Sequence, residues 1–256
     1  MSQNDDVVNV ISGCVAVVTG AGSGIGRATA EALLAGGASV AAVDLRPEGA
    51  PDGALAVTAD VCDQRSVDTA IERVSTELGA PQILVNCAGI GAVGTVEDGE
   101  EAEWRALFDV NVMGIVRTAR ASLPHLRRAR HAAIVNVSSV VATVGVGSRA
   151  AYSASKGAVS ALTLAMATDL LGDGVRVNAV SPGTVSTPWV SRLLDAGPDP
   201  EAALASLEAR QPLGRLGRPD EIAHAILHLA DPRAAFTTGT ILVVDGGMVG
   251  LRPARA

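Results

Sequence analysis

The sequence predicts an α/β fold: one domain, residues 1–256, built on a doubly wound parallel seven-stranded sheet. Three observations predict it. Short apolar, β-rich runs alternate with helix-period segments along the whole chain. A glycine-rich turn joins the first such run to the first helical segment. The composition is 48% hydrophobic but only 2% aromatic, an aliphatic stock that suits a parallel sheet covered by helices on both faces.

The elements follow in order. Val15 to Val18 reads as the first strand, and the helix after the glycine turn covers Gly24 to Ala35. Ser39 to Val43 and Leu55 to Thr58 are the second and third strands. A helix follows from Gln64 to Leu78, opened by Asp63 as N-cap. Ile83 to Val85 is the fourth strand. A long helical region from Glu101 to Arg128 follows, which Pro124 is expected to kink or restart. Ala133 to Val137 is the fifth strand, Arg149 to Leu171 a helix, Arg176 to Val180 the sixth strand and Ile241 to Val244 the last. The stretch 188–218 departs from this alternation. It is helical in composition at Glu201 to Glu208, is flanked by Gly197-Pro198 and Pro212, and reads as an insertion after the sixth strand. In an open α/β sheet an insertion there would cover the ligand crevice.

Composition narrows the function. A chain of 256 residues suffices for one sizeable core. A net charge of −7 leaves no electrostatic footprint for nucleic acid or an anionic membrane. The local cluster Arg127, Arg128, Arg130 and His131 reads as a solvated helix end, its cations near the C-terminus. Cys14, Cys62 and Cys87 are odd in number and unpaired in spacing, which fits a reducing cytosol rather than a disulfide framework. Met1 to Val10 is polar and acidic, unlike a secretory signal, and no run of about 20 apolar residues appears. A cytoplasmic protein is the expectation.

The first strand runs into Thr19-Gly20-Ala21-Gly22-Ser23-Gly24-Ile25-Gly26. Glycines allow a tight turn and a close approach of backbone to a pyrophosphate, while the following helix offers its N-terminal N–H groups to that anion. The position between a strand and a helix is the context such a loop requires. Asp44 ends the second strand about 20 residues on. Its carboxylate can accept hydrogen bonds from adenosine ribose hydroxyls and would repel a 2′-phosphate. Ser23 and Leu45 offer no cation for that phosphate, and Arg46 lies one position further along. NAD is therefore expected over NADP.

Tyr152-Ser153-Ala154-Ser155-Lys156 places a phenol and an ammonium on one helix face. Tyrosine is a poor base near its ordinary pKa of about 10, and a lysine cation beside it favours the phenolate. Transfer of a proton to or from an alcohol oxygen needs such a tuned group.

With these residues in hand, the chain resembles the short-chain dehydrogenase/reductase family over nearly its whole length, which implies a Rossmann fold. The loop from Thr19 to Gly26 matches its cofactor motif, Asp60-Val61 its adenine-contacting pair and Asn86-Cys87-Ala88-Gly89 its Asn-Asn-Ala-Gly motif. Cys87 replaces the usual second Asn and is not read as a catalytic thiol. Asn111 matches the active-site asparagine. Ser139 lies thirteen residues before Tyr152, as the family spacing requires. Pro182-Gly183, Val185 and Thr187 match the loop that meets the nicotinamide. The resemblance implies that Ser139 holds the substrate oxygen and that Tyr152 takes or supplies its proton. It also implies that Lys156 holds the nicotinamide ribose and lowers the tyrosine pKa, and that Asn111 helps a water link Lys156 to solvent. No metal is implied. His224 and His228, four apart on a helix, lack a third ligand nearby in sequence and read as surface or interface residues.

Arg149 lies three residues before Tyr152, and Arg192 and Arg210 lie in the segment expected to cover the crevice. Guanidinium groups converging on one pocket would suit a carboxylate. The alternative is three surface side chains. The stretches from Pro182 to Trp189 and from Arg210 to Gly217 resemble one branch of the family. It contains 2-keto-3-deoxy-L-fuconate dehydrogenases and the cytosolic type-2 3-hydroxybutyrate dehydrogenase, whose members bind acids through arginines. That implies NAD-dependent oxidation of a secondary alcohol in a small hydroxy acid, with a sugar acid as first candidate and a 3-hydroxy acid as second. Two rivals stand beside it: a carbonyl reductase or alcohol dehydrogenase for a neutral metabolite, such as a polyketide or cyclic alcohol, and a non-enzymatic dinucleotide-binding regulator. The family also implies a homotetramer. The apolar face at Val159, Leu162 and Met166 suits such contacts or burial within the monomer.

Overall fold

The computed structural model describes residues 11–195 and 197–252. The acidic stretch Met1 to Val10 lies outside the described residues. Seven strands form one all-parallel sheet in the order β3-β2-β1-β4-β5-β6-β7. They are β1 (Val15–Thr19), β2 (Ser39–Asp44), β3 (Leu55–Thr58), β4 (Ile83–Asn86), β5 (Ala133–Val137), β6 (Arg176–Pro182) and β7 (Ile241–Val244).

The two faces follow from the period-2 alternation of the strands. Val18, Val40, Val85 and Val135 point to one side. There they meet Ala30 and Leu33 of helix α1 (Gly24–Ala35) and Ile222, Ile226 and Leu229 of the last long helix, Pro219–Ala230. Val17, Val43, Leu84 and Ile134 point to the other. There they meet Val67, Ile71 and Val74 of α2 (Gln64–Glu77), together with Leu126 and Ala167 from the two long helices that follow. Each fully buried Leu or Ile contributes about 2 kcal/mol through the water it excludes.

Asp63 caps α2, its side chain accepting the Arg65 amide at 3.0 Å. The region 101–128 departs from expectation. Pro124 does not break it: it lies inside α4 (Gly114–Leu126), two residues from the helix end. The break comes earlier, where α3 (Glu101–Phe108) passes into a π-turn at Asp109–Met113. Two features hold that turn. Asn111 is drawn inward, and Arg117 bonds the Asp109 carboxylate at 2.6 Å and the Val61 carbonyl at 3.1 Å. A π-turn widens the helix by one residue and changes the direction in which its side chains point.

Helix α5 (Ala150–Asp169) follows β5. Between β6 and the last helix the chain forms two short helices, α6 (Pro188–Asp195) and α7 (Pro200–Glu208), where sequence composition marked only the second. Asp199 caps α7 by accepting the Ala202 amide at 3.0 Å. The helix Pro219–Ala230, α8, then packs against α1. Of the basic cluster after α4, Arg127 pairs with Asp173 at 2.8 Å, while Arg128, Arg130 and His131 are exposed.

Candidate active site

The chain leaves β1 toward β2 on one side and returns to β4 on the other. The carboxyl ends of β1 and β4 therefore flank the point where strand order reverses, the place where open α/β sheets bind ligands. A cleft of about 730 Å³ opens there.

One end is built from backbone. Gly20, Ser23, Gly24, Ile25 and Gly26 line it. Gly20 and Gly24 have φ of +66° and +53°, left-handed values that favour glycine. A Cβ on Gly20 would sit 2.8 Å from Ala88, and one on Gly22 would sit 2.8 Å from the Arg46 carbonyl. Ser23 makes no side-chain cap to α1, and the first turn of α1 has no acidic residue. Its N–H groups are thus left to an anion. Asp44 lines the cleft with its two carboxylate oxygens engaged by the Gly22 amide at 2.9 Å and the Arg46 amide at 3.0 Å. Each oxygen keeps a further lone pair for a ligand hydroxyl. Asp60, Val61, Ala88 and Gly89 continue the wall, and Pro182, Gly183, Val185 and Thr187 close it from the β6 side. The donors, glycines and acid fit an adenine dinucleotide.

Asn86 is placed elsewhere. It does not line the cleft; its side chain lies between strands, donating to Asn136 at 2.9 Å and accepting from Thr118 at 2.7 Å. As the last residue of β4 it alternates away from the crevice, so its part in the motif is to tie β4, β5 and α4 together.

Ser139, Tyr152 and Lys156 meet at the other end of the cleft. Ser139 follows β5, and its Oγ accepts the Val141 amide at 3.4 Å. Tyr152 is the chain's single tyrosine. Its ring stacks on Trp189 with centroids 6.5 Å apart. Lys156 is buried, and Nζ donates to the Val137 carbonyl at 2.8 Å while lying 5.8 Å from the Tyr152 ring centroid. Burial pulls the lysine pKa down to about 8, partly opposed by Cys87. Burial also raises the Tyr152 pKa, against the lowering influence of a Ser139 hydrogen bond and the Arg149 charge. Burial is the dominant influence at Tyr152, and the Lys156 ammonium is turned to the Val137 carbonyl. The Cys87 thiol nearby is pushed up to about 12 by burial, although Thr29 and Lys156 act to lower it. It stays protonated at neutral pH.

Asn111 does not line the cleft but supports it. Nδ2 donates to the Ile90 carbonyl at 2.9 Å and to Ser155 Oγ at 3.0 Å, and Oδ1 accepts the Ile90 amide at 2.8 Å. A Cβ on Gly89 would lie 3.1 Å from Asn111 Oδ1 and 3.5 Å from Lys156 Nζ, so this glycine separates the two.

All three sequence-predicted arginines, Arg149, Arg192 and Arg210, line the cleft. Arg149 precedes α5 after Ser148, whose φ is +55°, and donates to the Ala92 carbonyl at 2.9 Å. Its guanidinium lies 5.7 Å from the Trp189 ring centroid. Burial, then the nearby charge of Arg210, lower its pKa. Among the described residues none of the three is in an ion pair.

Sequence reasoning passed over the roles of Trp189 and Gly91. A Cβ on Gly91 would sit 2.5 Å from the indole, so the glycine admits the ring. One of only two tryptophans, directly after the Thr187-Pro188 pair, was the available signal. His224 and His228 are exposed on α8, and among the described residues no group of three His, Cys, Asp or Glu is placed to hold a metal ion.

Residues 20–249 match a family model described as enoyl-(acyl carrier protein) reductase. The chain is 41% identical to the cis-4-hydroxycyclohexanecarboxylate dehydrogenase of Sinomonas cyclohexanicum, over 91% of this chain and 95% of that protein. It is 38% identical to the 2-keto-3-deoxy-L-fuconate dehydrogenase of Xanthomonas campestris pv. campestris, over 90% and 78%. The ligand-free aldohexose dehydrogenase of Thermoplasma acidophilum superposes with a TM-score of 0.90 at 34% identity, over 96% of this chain and 98% of that one. With a Rossmann-like sheet, a glycine-lined crevice and Ser139, Tyr152 and Lys156 gathered beside it, the chain belongs to the short-chain dehydrogenase/reductase family of oxidoreductases.

Proposed function

We propose that this enzyme uses NAD to oxidise a secondary alcohol in a small acid, a hydroxy acid or sugar acid, to the ketone. One observation carries the reading. Arg149, partly buried, and Arg210, exposed, both line the cleft that holds Tyr152, close enough for one charge to depress the other's pKa, with no carboxylate partner among the described residues. Two guanidiniums held together unpaired favour an anion between them.

The loop from Gly20 to Gly26, Asp44, Asp60 with Val61, Ala88 with Gly89 and the segment 182–187 would hold the cofactor. Asp44 favours NAD, because a 2′-phosphate would meet its carboxylate. The nicotinamide, when bound, supplies the hydride acceptor. Ser139 Oγ donates to the substrate oxygen and fixes it near Tyr152 Oη. Tyr152 takes the hydroxyl proton in oxidation and returns it in reduction. Lys156 would hold the nicotinamide ribose, and with a pKa of about 8 it can exchange a proton near neutrality. Asn111 positions the segment around Ile90 and, by family resemblance, a water that connects Lys156 to solvent. Helices α6 and α7 carry Arg192 and lead to Arg210, and we assign the segment 188–218 to covering the substrate. We also propose a homotetramer, as the family implies, and a reducing cytosolic setting from the unpaired cysteines.

The test is NADH formation from NAD⁺ over hydroxy acids, sugar acids and neutral secondary alcohols, repeated with NADP⁺. Arg149→Ala should raise KM for acids at least about tenfold and leave neutral alcohols nearly unchanged. Equal effects on both would remove the acid and leave the neutral-alcohol reading, which the apolar side chains of the cleft favour. Tyr152→Phe should abolish turnover and retain NAD binding; a variant that still turns over would remove Tyr152 as the proton-transfer group.

A further inference from the structure

The end of the cleft that holds Ser139 and Tyr152 is lined mostly by apolar side chains. Ser139 and Tyr152 line it, and Arg149, Arg192 and Arg210 supply cations. The remaining side chains there are mostly apolar, Val141, Val146, Trp189, Leu193, Leu207 and Met248, with the hydroxyls of Thr184 and Thr187 after β6. Among the described residues lining the cleft there is no Asn, Gln, Glu or His. Its two aspartates, Asp44 and Asp60, lie at the far end, after β2 and β3. Ser138 also reaches the cleft, but its Oγ is occupied by the Lys156 carbonyl at 3.1 Å and by Ser160 at 2.7 Å.

A sugar acid carries several hydroxyls, each both donor and acceptor. Guanidiniums donate only. Here the extra hydroxyls would lose water and find few acceptors beyond the Thr184 and Thr187 hydroxyls, which disfavours their burial. An alicyclic or aliphatic skeleton loses nothing against the same walls and gains from leaving water. Trp189 adds a flat surface, pressed into the space that Gly91 leaves open.

We infer that the substrate is a hydroxy acid whose apolar body is a carbocycle, a hydroxycycloalkane carboxylate, and not a polyhydroxylated sugar acid. The inference deepens the acid reading above and rests on it for the carboxylate only; the apolar body is argued from separate residues.

Four compounds separate the two ideas: 4-hydroxycyclohexanecarboxylate, cyclohexanol, an aldonate and the free aldose, each assayed with NAD⁺ and the full chain. The expected result is a kcat/KM for the cyclohexane acid at least about tenfold above that for the aldonate. An aldonate equal or better overturns the apolar body, and leaves the acid reading standing if it also exceeds the aldose. Cyclohexanol equal to its acid removes the acid reading and leaves the apolar body. Turnover of neither cyclohexane compound overturns the inference. Binding supplies a second readout: cyclohexanecarboxylate, which lacks the reacting hydroxyl, should raise the Tm of the NADH-loaded protein more than gluconate at equal concentration. The opposite order counts against it. Val146→Asn, on a partly exposed loop residue, should lower kcat/KM for the cyclohexane acid several-fold and spare the aldonate; an unchanged value would remove this wall from the substrate site.

Discussion

Asn111 and Ile90 exchange two hydrogen bonds: the Ile90 amide donates to Oδ1 at 2.8 Å, and Nδ2 donates to the Ile90 carbonyl at 2.9 Å. The pair joins the π-turn between α3 and α4 to the segment that follows β4. A third bond, to Ser155 at 3.0 Å, ties both to the helix that carries Tyr152 and Lys156. Asn111→Ala removes all three. The expected loss is about 3 kcal/mol, at roughly 1 kcal/mol per bond, read by urea unfolding. Activity should fall with it, because Gly89 to Gly91 form a wall of the cleft. Unchanged stability would mean that water replaces the amide.

Tyr152 is the chain's single tyrosine, so the tyrosinate absorbance of an alkaline titration reports it alone. In the cofactor-free protein its pKa should lie above the ordinary value of about 10, since burial outweighs the Ser139 hydrogen bond and the Arg149 charge. Ser139→Ala and Arg149→Ala should each raise it further. With Tyr152 as the proposed base, the oxidation rate should climb with pH on the alkaline side while reduction declines.

Lys156 makes stability depend on pH. Its folded pKa of about 8 lies below the ordinary 10.5, so the unfolded chain binds more protons between those values. Stability contributed by this group therefore rises as pH increases from 8 to 10.5 and is lowest below 8. Lys156→Met should be the more stable protein at pH 7. The margin is about 2 kcal/mol: roughly 3 from the pKa difference less roughly 1 for the lost bond to Val137. It should shrink by pH 10. Urea unfolding of both proteins at the two pH values checks the sign.

Asp44 lines the cleft and also holds the glycine loop, accepting the Gly22 and Arg46 amides. Asp44→Ala should raise KM for NAD at least about tenfold and cost some stability. Asp44→Ser with Leu45→Arg should move the kcat/KM ratio toward NADP, by replacing an anion with a cation beside the ribose. An unchanged ratio would place cofactor choice elsewhere.

Ser122 lies fully buried on α4, and its hydroxyl finds no hydrogen-bond partner among the described residues. Ser122→Ala removes an unsatisfied group and leaves the shape nearly intact. Stability should rise by up to about 1 kcal/mol, a Tm gain of about 2–4 °C in calorimetry. A loss would reveal a bound water.

The sequence by itself determined the sheet, the glycine loop and the Tyr152–Lys156 pair, while Ser139 was found through the family resemblance. Those signals are local: period-2 runs, a strand-turn-helix junction, and two side chains one helical turn apart. Even strand ends such as Leu55–Thr58 and Ile241–Val244 were legible, because turn residues and apolar runs delimit them. What needed contacts between distant segments was decided only in three dimensions. The helix broke at Asn111 and not at Pro124, because a proline near a helix end disturbs little while Asn111 is held from Ile90 and Ser155. Asn86 left the cleft for a buried link to Asn136 and Thr118, a partnership set by sheet order. Lys156 turned to the Val137 carbonyl, a partner 19 positions back that its spacing to Tyr152 does not reveal. Arg149, Arg192 and Arg210 are ordinary in sequence, spread over 62 positions from first to last. In the folded chain all three line one cleft, because that convergence depends on the path of the chain after β6 and not on spacing in sequence.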